Sequence, residues 1–76
     1  MNATIEHNET MMKFMRLLGN AERLKIAGML GVEGLSATQL SERMHLPFEA
    51  VQAHLDMLLE AGLIRLQGEA YVLESK

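Results

Sequence analysis

Residues 36–63 read SATQLSERMHLPFEAVQAHLDMLLEAGL, two amphipathic patterns with a short break between them. Ser36 and Gln39 have the spacing of a capping box, which predicts that a helix begins there. Pro47 disfavours helical backbone in the residue before it and suits the start of a new helix. The stretch therefore predicts a helix-turn-helix over residues 36–61.

The second helix of this motif is predicted over residues 48–61, with Gly62 as its natural stop. Val51, Leu55 and Leu58 are spaced by three and four residues, so they share one face of the helix. That face is predicted to pack on the core, and the opposite, polar face is left exposed.

A β-hairpin is predicted over residues 63–73, where two short runs rich in branched side chains surround a turn at Gly68. A further helix is predicted after Asn20, whose side chain can cap it, with Leu24 facing inward and Arg23 outward. The elements together predict an α+β, mostly α fold. It is a winged helix-turn-helix with three to four helices and a two-stranded β-hairpin wing.

The first helix is predicted over residues 9–18, after a polar segment, residues 1–8, that is predicted to be flexible. Four apolar residues of this helix follow the spacing i, i+3, i+4 and i+7 and predict one buried stripe: Met11, Phe14, Met15 and Leu18. Met12 and Leu17 fall outside this stripe. Together with the nearby Ile5 and Phe14, they predict an exposed apolar strip that a second subunit can cover. The candidate dimer interface lies on this helix: Met11, Met12 and Met15.

Length and composition indicate one domain, residues 1–76, in which 49% of residues are hydrophobic and 22% are charged. No apolar run approaches the length needed to span a bilayer, and the first residues do not have the pattern of a secretory signal. The chain has no cysteine, which fits a reducing compartment. The sequence therefore predicts a cytoplasmic protein without membrane contact.

The charge balance disfavours a polyanionic partner. The net charge is −3, and residues 34–76 carry three cations against six carboxylates. Because Lys and Arg supply most of the affinity for phosphate, nucleic-acid binding by this half of the chain is expected to be weak unless contacts are doubled by a second copy.

Two stretches carry a resemblance to a known family: residues 20–26, NAERLKI, and residues 38–64, where TQLSERMHL is followed by VxxHLxxLxxAGLI. From Asn20 onward, over about three quarters of its length, the chain resembles the ArsR-like branch of winged helix-turn-helix transcriptional regulators. The resemblance implies a regulator rather than an enzyme, with double-stranded DNA and a second copy of the chain as partners. In such proteins the second motif helix, here residues 48–61, lies in the major groove.

The family's contact positions fall here on six residues at the start of the second motif helix: Pro47, Phe48, Glu49, Ala50, Gln52 and Ala53. From these and the neighbouring polar side chains we expect five DNA-binding residues: Gln39, Arg43, Gln52, His54 and Arg65. Gln52 has the groups needed to read adenine through two hydrogen bonds, and the others can reach phosphate or the edge of a groove. Glu49 is expected to lie close to phosphate and repel it, since the serine, threonine and arginine residues typical of this helix start are missing.

An alternative is a winged-helix module for protein contacts or dimerisation, part of a longer regulator and with little DNA affinity. Phe48, Glu49 and Ala50 favour it, because they make the groove-facing side apolar and acidic. A ligand or metal sensor needs residues beyond this segment, such as the terminal helix that many family members carry. Without cysteine, and with scattered histidines, the chain predicts no metal site or cofactor, and no nucleophile has a base beside it.

Overall fold

A computed structural model describes the backbone of residues 2–74 and the side chains of residues 9 and 11–74. Four helices precede a two-stranded antiparallel sheet: α1 Asn2–Leu18, α2 Ala21–Leu30, α3 Ala37–Met44, α4 Phe48–Glu60, β1 Ile64–Gln67 and β2 Ala70–Leu73. This order confirms the predicted winged helix-turn-helix. Within residues 2–74, no helix has the length and apolar character needed to cross a bilayer.

Side-chain caps start α2 and α3 where the sequence predicts them. The Asn20 Oδ1 atom accepts hydrogen bonds from the backbone N–H groups of Glu22 and Arg23, at 2.9 and 3.0 Å. Ser36 and Gln39 form both halves of the capping box: the Gln39 N–H donates to Ser36 Oγ at 3.1 Å, and the Ser36 N–H donates to Gln39 Oε1 at 2.9 Å. These bonds satisfy N–H groups that have no partner inside a helix.

The break between α3 and α4 is a compact turn. His45 takes a left-handed conformation, with φ of 56°, and the Ser41 hydroxyl donates to the Leu46 carbonyl at 2.6 Å. Pro47 then caps α4 with its backbone, so the helix begins at Phe48 as predicted. It ends at Glu60, one residue earlier than predicted.

The hairpin also forms as predicted, with Ile64 opposite Leu73 and Gln67 opposite Ala70. Gly68 opens its two-residue loop with φ of 67°, which a residue with a Cβ adopts only at a cost.

A third segment joins the sheet at Leu35, which exchanges two backbone hydrogen bonds with Tyr71, of 2.7 and 3.1 Å. This bridge ties the wing to the start of the helix-turn-helix.

The core lies between α2, α3, α4 and the hairpin. The largest fully buried side chains come from the three helices and from the segment between α2 and α3: Ile26, Leu35, Leu40, Val51, Leu55 and Leu58. Ile64 and Tyr71 close the core from the hairpin. The predicted inner face of α4 is confirmed, since its three members have no exposed surface.

Helix α1 begins at Asn2 rather than at residue 9. Residues 2–18 contain no glycine or proline to stop a helix, whose backbone bonds are internal and need no packed neighbour. Met1 and the side chains of residues 2–8 lie outside the described part of the chain, so the predicted flexibility of residues 1–8 stays a prediction.

The predicted buried stripe of α1 is wrong at three of its four positions, and only Leu18 packs against the core, partly buried. Met11 and Met15 are 59% and 64% exposed, and Phe14 is also exposed, whereas Leu17 is buried with 7% of its surface accessible. Leu17 therefore belongs to the core and not to the exposed strip. The helical spacing correctly identifies residues that share a face, but among the side chains described for α1 those that pack into the core are Leu17 and Leu18, in its last turn.

The corner between α1 and α2 depends on two residues. A Cβ atom added at Gly19 would lie 2.6 Å from the Met15 carbonyl oxygen, which is closer than real Cβ contacts come. Arg23, predicted to point outward, instead folds back: its Nε donates to the Leu17 carbonyl at 2.6 Å and its Nη2 to the Arg16 carbonyl at 3.3 Å. Leu24, predicted to face inward, is exposed. The inward face of α2 is thus centred on Ile26 and Leu30, which pack in the core.

Candidate nucleic-acid interface

The outward face of α4 is acidic. Opposite the buried Val51, Leu55 and Leu58, the helix exposes three carboxylates and one small residue: Glu49, Ala53, Asp56 and Glu60. Phe48, at the start of the helix, is exposed beside them. The face that the family places in the major groove is therefore exposed, but its charge opposes phosphate.

Gln52 lies at the border between this outward face and the wing. Its Nε2 atom donates to Asp56 Oδ1 at 3.1 Å and to the Tyr71 hydroxyl at 3.3 Å. Tyr71 is 9% exposed and is held in the sheet by its bonds to Leu35. Among the described residues these contacts link the second motif helix directly to the second strand of the wing.

His54 lies on the other side of α4, about 200° around the helix from Gln52. Its Nε2 atom is 2.9 Å from Glu22 Oε1 on α2, and its side chain is only 13% exposed. The Nδ1 atom is buried and has no hydrogen-bond partner among the described residues. The structure therefore does not bring His54 to the same surface as Gln52, and its role in binding DNA stays a prediction.

Both candidate arginines are already paired with carboxylates. The Arg43 Nη1 atom lies 2.8 Å from Glu33 Oε2, and the Arg65 Nε atom lies 2.7 Å from Glu74 Oε1. Each pair is about half exposed, so water screens it and a phosphate group can compete with the carboxylate. These partners are ten and nine positions away in the sequence, and no local pattern identified them.

Gln39 uses its Oε1 atom in the capping box, which leaves its Nε2 group for an outside acceptor.

Two residues that contribute to the site, Asp56 and Tyr71, were not predicted from the sequence. Asp56 carries a detectable signal, because it stands four residues after Gln52 on the same helix and such pairs meet. Tyr71 carries none, since its contact with Gln52 spans nineteen positions.

A separate cleft of about 640 Å³ lies between α1, α2 and α4. Three cations and four other residues line it: Lys13, Arg16, Leu17, Arg23, Met57, Glu60 and Ala61. The three cations come from α1 and α2, and the end of α4 contributes Met57 and Glu60, so the cleft borders the outward face of α4 at Glu60. In the described part of the chain, no group of three or more His, Asp or Glu residues has an arrangement suited to a metal ion.

Comparison with protein families gives a match to the helix-turn-helix domain over residues 18–67, which is most of the chain. A comparison with the curated proteins gives no significant match.

Solved structures give strong similarities. HlyU from Vibrio cholerae N16961 is 30% identical with a TM-score of 0.79, over 92% of this chain and 80% of that protein. Its reduced form is 28% identical with a TM-score of 0.86, over 100% and 84% of the two chains.

The transcriptional regulator HlyU from Vibrio vulnificus CMCP6 is 27% identical with a TM-score of 0.77, over 100% of this chain and 85% of that one. NolR from Sinorhizobium fredii, at 24% identity and a TM-score of 0.82 over 97% and 78%, shares the fold. The family match covers the α2–α4 core and β1, and the HlyU structures extend the similarity to the whole chain. The chain therefore belongs to the ArsR-like family of winged helix-turn-helix transcriptional regulators.

Proposed function

We propose that this DNA-binding regulator is a cytoplasmic homodimer that places one copy of α4 in each of two successive major grooves, about 34 Å apart. The observation that carries the proposal is the mounting of α4. One side of the helix is fully buried at Val51, Leu55 and Leu58, so the opposite side is held outward on a rigid support. A helix must be held rigidly if its side chains are to approach base edges with precision.

The exposed methionines of α1 support a dimer. Met11, Met12 and Met15 are between 57% and 64% exposed and stand within two helical turns of one another. Small soluble domains bury such side chains when another surface is available, and the proposed partner is α1 of a second copy. Association through α1 leaves α4 of each copy uncovered.

Dimerisation also addresses the unfavourable charge. One copy offers few groups to DNA, and we propose this set: Gln39, Arg43, Gln52, His54 and Arg65. A symmetric pair doubles every contact made by a single copy, so a weak interface becomes a useful one. Phosphate contacts by Arg43 and Arg65 require each to release its carboxylate, which predicts modest affinity and a shallow salt dependence.

The test is binding of the purified chain to mixed-sequence duplex DNA by fluorescence anisotropy, at low and near-physiological salt. Light scattering on the same samples gives the mass of the protein. Salt-sensitive binding by a dimer is the expected result. Salt-sensitive binding by a protein whose mass is that of a monomer would contradict the proposed dimer. A dimer that does not bind DNA at low salt would contradict the proposed placement of α4.

The acidic outward face of α4 favours a second candidate, a winged-helix module that contacts another protein. Glu49, Asp56 and Glu60 would then meet a basic surface of the partner, and exposed Phe48 would add an apolar contact. This candidate predicts no salt-dependent affinity for DNA, so the same titration distinguishes the two.

A further inference from the structure

Both N–H groups of the Gln52 side chain are used inside the protein. A glutamine amide has two donor hydrogens on Nε2 and an acceptor oxygen, Oε1. One hydrogen is directed to Asp56 Oδ1 at 3.1 Å and the other to the Tyr71 hydroxyl at 3.3 Å. The oxygen is therefore the group that remains for a partner outside the chain.

The chemistry of Asp56 fixes which end of the amide faces inward. An ionised carboxylate only accepts hydrogen bonds, so the nitrogen and not the oxygen of Gln52 must point toward it. Tyr71 strengthens this arrangement because the residue is buried and both its backbone N–H and its carbonyl are hydrogen-bonded to Leu35. Reversing the amide would leave the Asp56 carboxylate facing the Oε1 atom.

This orientation changes what Gln52 can read in a major groove. Recognition of adenine by two hydrogen bonds requires an N–H donor to N7 as well as an acceptor for the N6 amino group. With both donors occupied, Gln52 offers an acceptor alone. Only the exocyclic amino groups of cytosine and adenine supply a donor there, whereas guanine and thymine present acceptors.

We propose that Asp56 and Tyr71 are positioning residues that make Gln52 an acceptor-only reader, selective for cytosine or adenine over guanine and thymine. The inference rests on the proposed function, because it needs α4 to lie in the major groove. It replaces the expectation from sequence that Gln52 can read adenine through two hydrogen bonds.

The experiment is selection of bound duplexes from a pool with a randomised central segment, followed by sequencing, for the wild-type chain and four variants. Gln52→Ala identifies the base-pair position that Gln52 reads, because preference at that position disappears. At that position the wild type is expected to retain cytosine and adenine at comparable frequency. Asp56→Ala and Tyr71→Phe each free a donor on Nε2, so the ratio of adenine to cytosine is expected to rise about fivefold.

Asp56→Asn is the matched control for charge. It removes the same negative charge as Asp56→Ala but keeps an oxygen that accepts from Gln52 Nε2, together with N–H groups that can donate to Gln52 Oε1, so a base preference between those of the wild type and Asp56→Ala is expected. A purely electrostatic role for Asp56 would instead make both variants behave alike. Thermal unfolding of each variant shows whether a change in preference accompanies loss of the fold, and Asp56 is exposed, so its variants are expected to fold.

Three results would overturn the inference while leaving DNA binding intact. These are a wild type that selects adenine alone, a Gln52→Ala variant with unchanged preferences, and Tyr71→Phe and Asp56→Ala variants that both retain the wild-type ratio. A wild type that retains no DNA from the pool at low salt would instead contradict the proposed function.

Discussion

The helix-turn-helix and helix α1 use their apolar residues in opposite ways. In α4 the apolar spacing leads to complete burial at Val51, Leu55 and Leu58. In α1 an equally regular spacing leaves Met11 and Met15 exposed, and among the side chains described for this helix, residues 9 and 11–18, only Leu17 is buried. One helix is therefore part of the domain's own core, and the other leaves its described methionines available for association.

The difference teaches that helical periodicity reports a shared face and not what covers it. A chain of 76 residues has a small core, and α2, α3, α4 and the hairpin already enclose it. The methionines described before the last turn of α1, Met11, Met12 and Met15, lie outside this core. Four changes break or sharpen this comparison.

The largest effect is expected from truncating the buried side of α4. Leu55→Ala removes a fully buried side chain and should lower the free energy of unfolding by about 2–5 kcal/mol, a large fraction of the stability of so small a domain. Urea unfolding followed by circular dichroism measures it. Met15→Ala on α1 is the control and should cost less than about 1 kcal/mol; equal losses would contradict the distinction between the two helices.

A charge on the exposed side of α1 should act on association and not on folding. Met12→Glu places a carboxylate in the proposed dimer contact, and the dimer dissociation constant should rise about a hundredfold, because the charge loses water without gaining a partner. Light scattering over a dilution series measures this.

Val32→Glu makes the same chemical change at an exposed apolar residue after α2 and should leave the mass unchanged. Dissociation caused equally by both variants would show that α1 is not the contact.

Reversing a charge on the outward face of α4 should strengthen binding to DNA. Glu49→Lys replaces a repulsive group near the start of the helix, so affinity for mixed-sequence duplex should rise about tenfold and the salt dependence should steepen by about one ion per subunit. Anisotropy titrations at several salt concentrations measure both quantities.

Glu60→Lys is the matched control, on the same face but about 16 Å further along the helix. An equal gain from both variants would indicate a general effect of net charge rather than an approach of the α4 start to phosphate.

The smallest effect concerns the start of the motif. Ser36→Ala removes the hydroxyl that accepts from the Gln39 N–H and should cost about 1 kcal/mol of stability, seen as a lower unfolding temperature. Thr38→Ala, in the first turn of α3 without a capping role, should have less effect. A larger loss for Thr38→Ala would contradict the assigned cap.

The sequence sufficed for elements whose ends are determined by local chemistry. Such chemistry involves a residue's own backbone, as at Pro47 and Gly68, or a neighbour three residues away, as at Ser36. The boundaries predicted from these residues lie within one residue of the observed ones. The start of α1 was missed because nothing local stops or starts the helix between residues 2 and 9.

Contacts between distant residues could not be predicted. Arg43 with Glu33, Arg65 with Glu74 and His54 with Glu22 each depend on how elements pack, and many exposed carboxylates are equally available in the sequence. The candidate site was therefore predicted as a set of residues on the correct motif, without the internal partners that decide which atoms remain free.

The tight corner at Gly19 has a consequence for how such a regulator diverges. Because any larger residue there meets the Met15 carbonyl oxygen, a substitution must shift the backbone at this corner, and such a shift can change the angle between α1 and the rest of the chain. If two copies join through α1, that angle sets the separation of their α4 helices. Operator spacing can then evolve through a residue that never touches a base, independently of the sequence that each half of the operator presents.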